Sequence, residues 1–169
     1  DKKYKRSIEK INQEDNSDKD NKIIRYYIKA KIGLSKILLN TGKWDESLAI
    51  LNDISKSMKN TDKKDIFDVA FSIGKIYSLK RNHDNAIKFY KEALKYATEQ
   101  NDISKQGLTI GELAQIAFDL GQVESALKGF NQELDLFKKI NEPLNISIAY
   151  GHLGMLYLQN GKMDKALDF

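Results

Sequence analysis

The amino-acid sequence predicts an all-α fold, built as an array of antiparallel helix pairs. Segments of similar sequence recur about every 40 residues. Inside each segment, apolar residues recur at three- and four-residue steps, the spacing that places them on one face of a helix. Pro143 is the only proline in 169 residues, so long helices can run uninterrupted. Together these observations predict a repetitive helical domain without strands.

Columns of equivalent residues define the repeat. Small residues spaced by 39, 40 and 40 positions form the first column: Ser47, Ala86, Ala126 and Ala166. Three further columns keep this spacing, and they consist of Leu34, Ile73, Leu113 and Leu153; of Ser35, Gly74, Ala114 and Gly154; and of Leu51, Tyr90 and Phe130. Because several columns align at one period, the chain repeats a single helix–turn–helix unit.

Each unit is predicted to contain two helices separated by a turn. In the third unit, Gly121 ends one apolar stripe and Val123 begins the next. Pro143 suits the first turn of the helix that follows it. The predicted helices span 22–40, 44–59, 64–80, 83–99, 103–119, 123–139 and 144–159, and an eighth begins at Met163.

The first 21 residues differ from the rest of the chain. Asp1–Gln13 carries Tyr4, Ile8 and Ile11 at helical spacing, and we expect it to be the tail helix of a preceding repeat. A polar link follows it and ends at residue 21. The rest is predicted to form repeats at 22–62, 63–102, 103–142 and 143–169, the last one truncated. We therefore expect a fragment of a larger protein.

These units resemble the tetratricopeptide repeat (TPR). That family has a Leu-Gly-x-x-Tyr core in its first helix and Ala-x-x-x-Tyr-x-x-Ala-Leu in its second. The second unit matches this pattern through Ile73, Gly74, Tyr77, Ala86, Tyr90, Ala93 and Leu94. The period exceeds the usual 34 residues, and such lengthened repeats are similar to those of bacterial sensor and regulator proteins. The resemblance implies a right-handed superhelical solenoid whose concave groove, lined by first helices, binds protein or peptide.

The resemblance also implies which residues face that groove. Carrying the family's positions onto this sequence gives Lys29, Lys36, Asn40, Phe71, Lys75, Gln115, Phe118, Asp119, Met155 and Gln159, with Leu108, Gly111, Ile148, Gly151 and Leu158 beside them. The N-terminal part of this set is basic, and the C-terminal part is apolar and amide-bearing. We therefore expect a ligand with a carboxylate near Lys36 and Lys75 and apolar side chains further along. For the terminal units an alternative stays equally open, in which the groove residues are exposed because a neighbouring helix of the array is missing from the fragment.

Composition argues against several other functions. The chain has no cysteine, which excludes disulfides and thiolate metal sites. No apolar run approaches the roughly 20 residues that cross a bilayer. The 28 basic residues interleave with 24 acidic ones, and only three of them are arginine, the usual residue of nucleic-acid recognition. We expect a cytoplasmic protein that binds neither nucleic acid nor membrane.

No pattern of residues indicates catalysis or a metal site. His83 shares a column with Trp44 and Met163, which predicts a packing role, and His152 is expected at the surface, toward the groove. Ser7 and Lys10 match Ser-x-x-Lys by letters but lack companion motifs. The acidic stretch 14–20 lacks the central glycine of a calcium loop. The sequence predicts no enzyme activity, no cofactor and no metal.

Three functional hypotheses follow. The first is a scaffold that binds an extended or helical segment of a partner protein. The second is a peptide-sensing regulatory domain of a larger bacterial sensor or transcription regulator, in which a peptide shifts the curvature of the superhelix. The third is an array that supports a catalytic domain elsewhere in the protein. Self-association through the truncated ends of the array is left open.

Overall fold

The computed structural model describes residues 22–57 and 63–168, and all of its regular elements are helices. They are α1 (22–40), α2 (Trp44–Ser57), α3 (Lys63–Leu79), α4 (His83–Glu99), α5 (Ile103–Asp119), α6 (Val123–Lys139), α7 (Pro143–Gln159) and α8 (Met163–Ala166). The predicted all-α fold is confirmed. The bounds of α3 and α7 differ from the prediction by one residue, and the predicted end of α2 at residue 59 lies outside the described residues. Asp1–Gln13, the expected tail helix, lies outside the described residues.

A short turn with one residue in the left-handed conformation joins the two helices of each pair. Gly42, Gly121 and Gly161 occupy this position with φ of 78°, 71° and 70°. Arg81 occupies the same column with φ of 59°. A glycine adopts this conformation without steric cost, whereas a side chain costs about 1–2 kcal/mol. Gly121 therefore ends its helix as predicted, and Arg81 keeps the same turn at some expense of stability.

Polar residues and the single proline fix where helices begin. The side chain of Asp102 accepts a hydrogen bond from the backbone N–H of Lys105 at 3.1 Å, which caps α5. Asn82 caps α4 in the same way. Pro143 lies in the first turn of α7, where its missing N–H is not needed.

The chain divides into two compact units, Asp1–Thr61 and Asp62–Phe169. In the first unit, the buried hydroxyl of Ser47 on α2 donates to the backbone oxygen of Ser35 on α1 at 2.8 Å. In the second unit, helices pack as the pairs α3–α4, α5–α6 and α7–α8. Each second helix also packs on the next first helix, α4 on α5 and α6 on α7. This is the neighbour-to-neighbour packing of a repeat array.

Around Phe67 and Phe71, the first helix of the α3–α4 pair supplies the large side chains. Phe67 of α3 lies in one buried cluster with Ala93 and Ala97 of α4, and Phe71 packs against that cluster. The two phenylalanine rings stack with centroids 5.5 Å apart. Small residues on α4 thus make room for aromatic rings from α3.

In the α5–α6 pair, the second helix supplies the large side chains. A Cβ added at Gly107 of α5 would lie 2.8 Å from Cζ of Phe137 on α6. A Cβ added at Gly111 would meet the carboxylate of Glu133 on α6. These four residues stand 40 positions after Phe67, Phe71, Ala93 and Ala97. Large and small residues have therefore changed places between the two pairs.

Candidate ligand-binding face

The first helices of the second unit lie side by side. An ion pair between Lys75 and Glu112 joins α3 to α5, and α5 contacts α7 directly. One groove expectation was wrong, because Gly111 is buried against Glu133 of α6. We call the other predicted groove positions on these helices the first-helix face; it comprises Phe71, Lys75, Leu108, Gln115, Phe118, Asp119, Ile148, Gly151, Met155, Leu158 and Gln159. The other predicted ligand residues, Lys29, Lys36 and Asn40, are exposed on α1 in the first unit.

Lys75 is held by a carboxylate from the next repeat. Its Nζ donates to Oε1 of Glu112, and Oε2 of Glu112 accepts a hydrogen bond from the Tyr90 hydroxyl at 2.9 Å. Burial, and then the charge of Glu112, raise the pKa of the Tyr90 phenol well above its usual value. A ligand carboxylate at Lys75 would therefore compete with Glu112, which was not apparent from the sequence.

Two other predicted ligand residues contact each other. Gln115 Nε2 donates to Oδ1 of Asp119 at 2.9 Å, and Nη1 of Arg81 donates to Oδ2 at 3.0 Å. Both carboxylate oxygens of Asp119 thus have a partner within the protein. The charged groups on the α3–α5 part of the first-helix face therefore compensate one another.

Phe71 and Phe118, the two aromatic residues among the predicted ligand residues, pack partly into the core. Phe71 stacks on Phe67, and its ring centroid lies 5.4 Å from that of Tyr90. Phe118 packs against the buried cluster formed by α5, α6 and α7. Each is half-buried, so each presents only part of its ring to a ligand.

Helix α7 contributes an apolar and uncharged strip. Residues 143–159 include no Asp, Glu, Lys or Arg. Ile148, Met155 and Leu158 are 45%, 46% and 54% exposed. Gly151 lies between them, and a Cβ placed there would have open space around it. This strip is the part of the first-helix face with the most apolar surface available to a partner.

His152 does not lie at the groove surface, and that expectation was wrong. Its Nδ1 lies 3.0 Å from Oε2 of Glu133, and its ring lies 4.9 Å from that of Phe130, so it packs between α6 and α7. Glu133 is buried and was not singled out in the sequence. Its burial had a signal in the sequence. Glu133 stands 40 positions after Ala93, and Gly111, which stands 40 positions after Phe71, leaves space for it. His83, by contrast, is half-buried at the start of α4, as predicted.

Two further features bear on the class of site. Among residues 22–57 and 63–168, no group of three His, Asp or Glu side chains is arranged to hold a metal ion. Within the same residues, no helix is both long enough and apolar enough to span a membrane.

The family comparison agrees with the repeat pattern. Residues 67–100 and 148–169 match the family model described as the tetratricopeptide repeat. These two stretches of the chain are thus similar to the tetratricopeptide repeat. Arrays of this family are generally scaffolds for protein–protein interaction, and typically they are not catalytic. A search of curated proteins found no match.

Solved structures show the same fold. BtubC (BKLC) from P. vanneervenii superposes with a TM-score of 0.67 at 20% identity, over 79% of this chain and 55% of BtubC. The TPR-like repeats of a putative kinesin light chain from Podosopora anserina superpose with a TM-score of 0.68 at 14% identity, over 83% of this chain and 70% of that one. This chain therefore spans just over half the length of BtubC, and at these identities the likeness concerns the fold alone.

Proposed function

We propose that this chain is a protein-binding scaffold, and that the first-helix face of its second unit holds a segment of a partner protein. One observation carries the proposal. Helix α7 exposes Ile148, Met155 and Leu158 on one face, with no charged residue along its length. Burying such a face against apolar side chains is favourable by about 25 cal/mol per Å². An exposed apolar strip beside a polar rim is typical of an interaction site.

The charges on the face favour a ligand bound mainly through apolar side chains. Glu112 neutralises Lys75, and Arg81 neutralises Asp119. A ligand carboxylate gains little from a lysine that already has a carboxylate partner, because one ion pair replaces another. Of the two-ended ligand expected from the sequence, we therefore propose that the apolar end supplies most of the binding free energy.

A display experiment tests this proposal. Peptides selected from a random-peptide library on the unmodified protein should be rich in apolar and aromatic residues. Met155→Lys should weaken their binding by at least about tenfold, since a buried ammonium without a partner is costly. Leu120→Lys is the matched control, because Leu120 is also 46% exposed but lies in the turn after α5. Selected peptides that bind Met155→Lys as tightly as the unmodified protein would contradict the proposal.

The acidic ligand expected near Lys36 and Lys75 needs a separate test. Lys75→Glu is a poor probe, because it would place a second carboxylate against Glu112 and disturb the contact between α3 and α5. Lys75→Met and Lys36→Met remove the charge without that repulsion. We expect neither to weaken the selected peptides by more than about threefold, within the range of exposed ion pairs. Binding lost in these variants but retained in Met155→Lys would assign the ligand to the lysines instead.

A peptide-sensing regulatory domain is the second candidate. The observation that favours it is that the Lys75–Glu112 and Arg81–Asp119 pairs both link parts of adjacent repeats. A ligand that displaced either partner would change the spacing of those repeats. Small-angle scattering with and without a selected peptide tests this: a sensor should change its radius of gyration, whereas a passive scaffold should keep it.

A further inference from the structure

The turn between α7 and α8 contains an asparagine that is followed directly by a glycine. Asn160 and Gly161 form the only Asn-Gly pair in the 169 residues, and both are exposed. In the same columns, the other turns between paired helices carry Thr41 and Gly42, Lys80 and Arg81, and Leu120 and Gly121. The α7–α8 turn alone among these four therefore combines a side-chain amide with a next residue that has no Cβ to shield its backbone nitrogen.

Such a pair can close into a cyclic imide in water. The backbone nitrogen of Gly161 bonds to Cγ of Asn160 and gives up its proton to water, while the Cγ–Nδ2 bond breaks and the amide group leaves as ammonia. Water then adds to one of the imide carbonyl carbons and opens the ring. Opening at the main-chain carbonyl gives isoaspartate, in which the main chain runs through Cγ, and opening at Cγ gives aspartate.

In the folded turn, the two reacting groups are held apart. Nδ2 of Asn160 donates to the backbone oxygen of Leu156 at 2.9 Å. The backbone N–H of Gly161 donates to the backbone oxygen of Leu158 at 3.0 Å. With ψ of 11° at Asn160, the nitrogen of Gly161 nearly eclipses the backbone nitrogen of Asn160 and points away from its Cβ. Because ring closure needs this nitrogen beside Cγ, the turn must open before the reaction occurs.

Either product would change the end of α7. A carboxylate cannot donate to the oxygen of Leu156, and its charge lies beside the last carbonyl groups of the helix, where an anion is unfavourable. Isoaspartate also lengthens the main chain within the turn, which disturbs the hydrogen bond from the N–H of Lys162 to the oxygen of Tyr157. Since α8 packs on α7, the conversion weakens the contact between these two helices.

We propose that Asn160 is a site of spontaneous conversion to aspartate and isoaspartate, and that the folded α7–α8 turn limits its rate. The reaction consumes only water and needs no enzyme. Its rate follows the fraction of molecules in which the turn is open, because only these bring the reacting atoms together.

Peptide mapping by mass spectrometry tests the proposal on the whole chain, incubated at neutral pH with and without urea. Conversion of Asn160 should be at least about tenfold faster in urea, where every turn is open. Asn141 is the internal control, because it is also exposed and lies in a turn, but Glu142 follows it. In urea, Asn160 should convert at least about tenfold faster than Asn141, since only glycine leaves the attacking nitrogen unshielded. Equal rates for the two residues in urea, or equal rates for Asn160 with and without urea, would overturn the proposal.

Two proline variants test the role of the turn in the folded chain. The backbone N–H of Ala166 donates to the oxygen of Lys162 at 3.1 Å, so Ala166→Pro removes this bond and should unwind α8. Met163→Pro is the matched control, because proline fits the first position of a helix. Ala166→Pro should raise the conversion rate of Asn160 by at least about threefold, and Met163→Pro should leave it unchanged. Equal rates in the two variants would contradict control of the reaction by the turn.

Discussion

The α3–α4 and α5–α6 pairs occupy equivalent positions in consecutive repeats, yet they fill one part of their interiors in opposite ways. Phe67 and Phe71 come from the first helix of one pair, whereas Phe137 and Glu133 come from the second helix of the other. In each case the facing helix carries alanine or glycine. What the repeat preserves is the summed volume between two helices, not the size of the residue at any one position.

The exchange also changes the chemistry of the core. Phe71 packs among aromatic rings, but Glu133, which fills the corresponding space in the next repeat, is a carboxylate and needs a polar partner. His152 on α7 supplies it at 3.0 Å. The polar contact thereby joins the third repeat to the fourth. Four experiments can break or sharpen this comparison, from the largest expected effect to the smallest.

The largest effect is expected from Gly107→Phe. It would place a second ring where Phe137 already lies, and we expect the free energy of unfolding to fall by about 3 kcal/mol or more. Phe137→Ala alone should cost about 3–5 kcal/mol through the cavity that it leaves. The double variant recreates the arrangement of Phe67 and Ala97. Urea denaturation should show the double variant to be more stable than either single variant. If its loss of unfolding free energy equals the sum of the two single losses, the two residues do not fill one shared space.

The next largest effect is expected from His152→Ala. It leaves the buried carboxylate of Glu133 without its hydrogen-bond partner, which should cost about 2–3 kcal/mol. Glu133→Ala combined with His152→Ala removes both groups and should cost less than the sum of the single changes. A double-mutant cycle by thermal or urea denaturation measures the difference. No coupling between the two residues would mean that the contact contributes nothing to stability.

A smaller effect is expected from Tyr90→Phe. This change gives α4 a phenylalanine, as α6 has at the equivalent position, Phe130. Losing the hydrogen bond to Glu112 should cost about 1.5 kcal/mol at neutral pH. Because folding raises the pKa of Tyr90, the unfolded chain releases this proton first, near pH 10. Stability should therefore fall as the pH rises above about 10, and Tyr90→Phe should fall less steeply. Parallel pH profiles of the two proteins would contradict this.

The smallest effect is expected from Arg81→Gly. It gives the α3–α4 turn the glycine found in the other turns and removes about 1–2 kcal/mol of backbone strain. The greater freedom of glycine in the unfolded chain offsets about 0.5–1 kcal/mol of this gain. It also removes the ion pair with Asp119, worth about 0.2–1 kcal/mol. We expect little net change at low salt and a gain of about 0.5–1 kcal/mol at high salt, where the ion pair is screened. Asp119→Asn, which removes only the ion pair, should lose stability at low salt. A variant destabilised at every salt concentration would show that the strain is small.

The repeat architecture was predictable because its signals are local. Helical periodicity, Gly121 in the turn and Pro143 in the first turn of α7 each act within a few residues, and the structure bears them out. The structure exposes Ile148, Met155 and Leu158 of α7, whereas their role as ligand residues stays a prediction.

What could not be predicted depends on contacts between repeats. Lys75 and Glu112 are 37 positions apart, so their pairing follows only from the way that α3 and α5 stack. Glu133 was missed for the same reason, because a glutamate is normally exposed. Its burial becomes evident only when Gly111 is placed opposite it on α5, because the missing side chain of that glycine leaves the space that Glu133 fills.

Binding of a partner segment on α7 is the central claim, and methyl NMR tests it most directly. A peptide selected on the unmodified protein would be titrated into a sample labelled at its Ile, Leu and Met methyl groups. The account predicts that the largest shifts occur at Ile148, Met155 and Leu158. Leu120 and Leu167, which are exposed but lie outside the first-helix face, should not shift. The largest shifts at Leu120 or Leu167, with the α7 methyl groups unchanged, would contradict it.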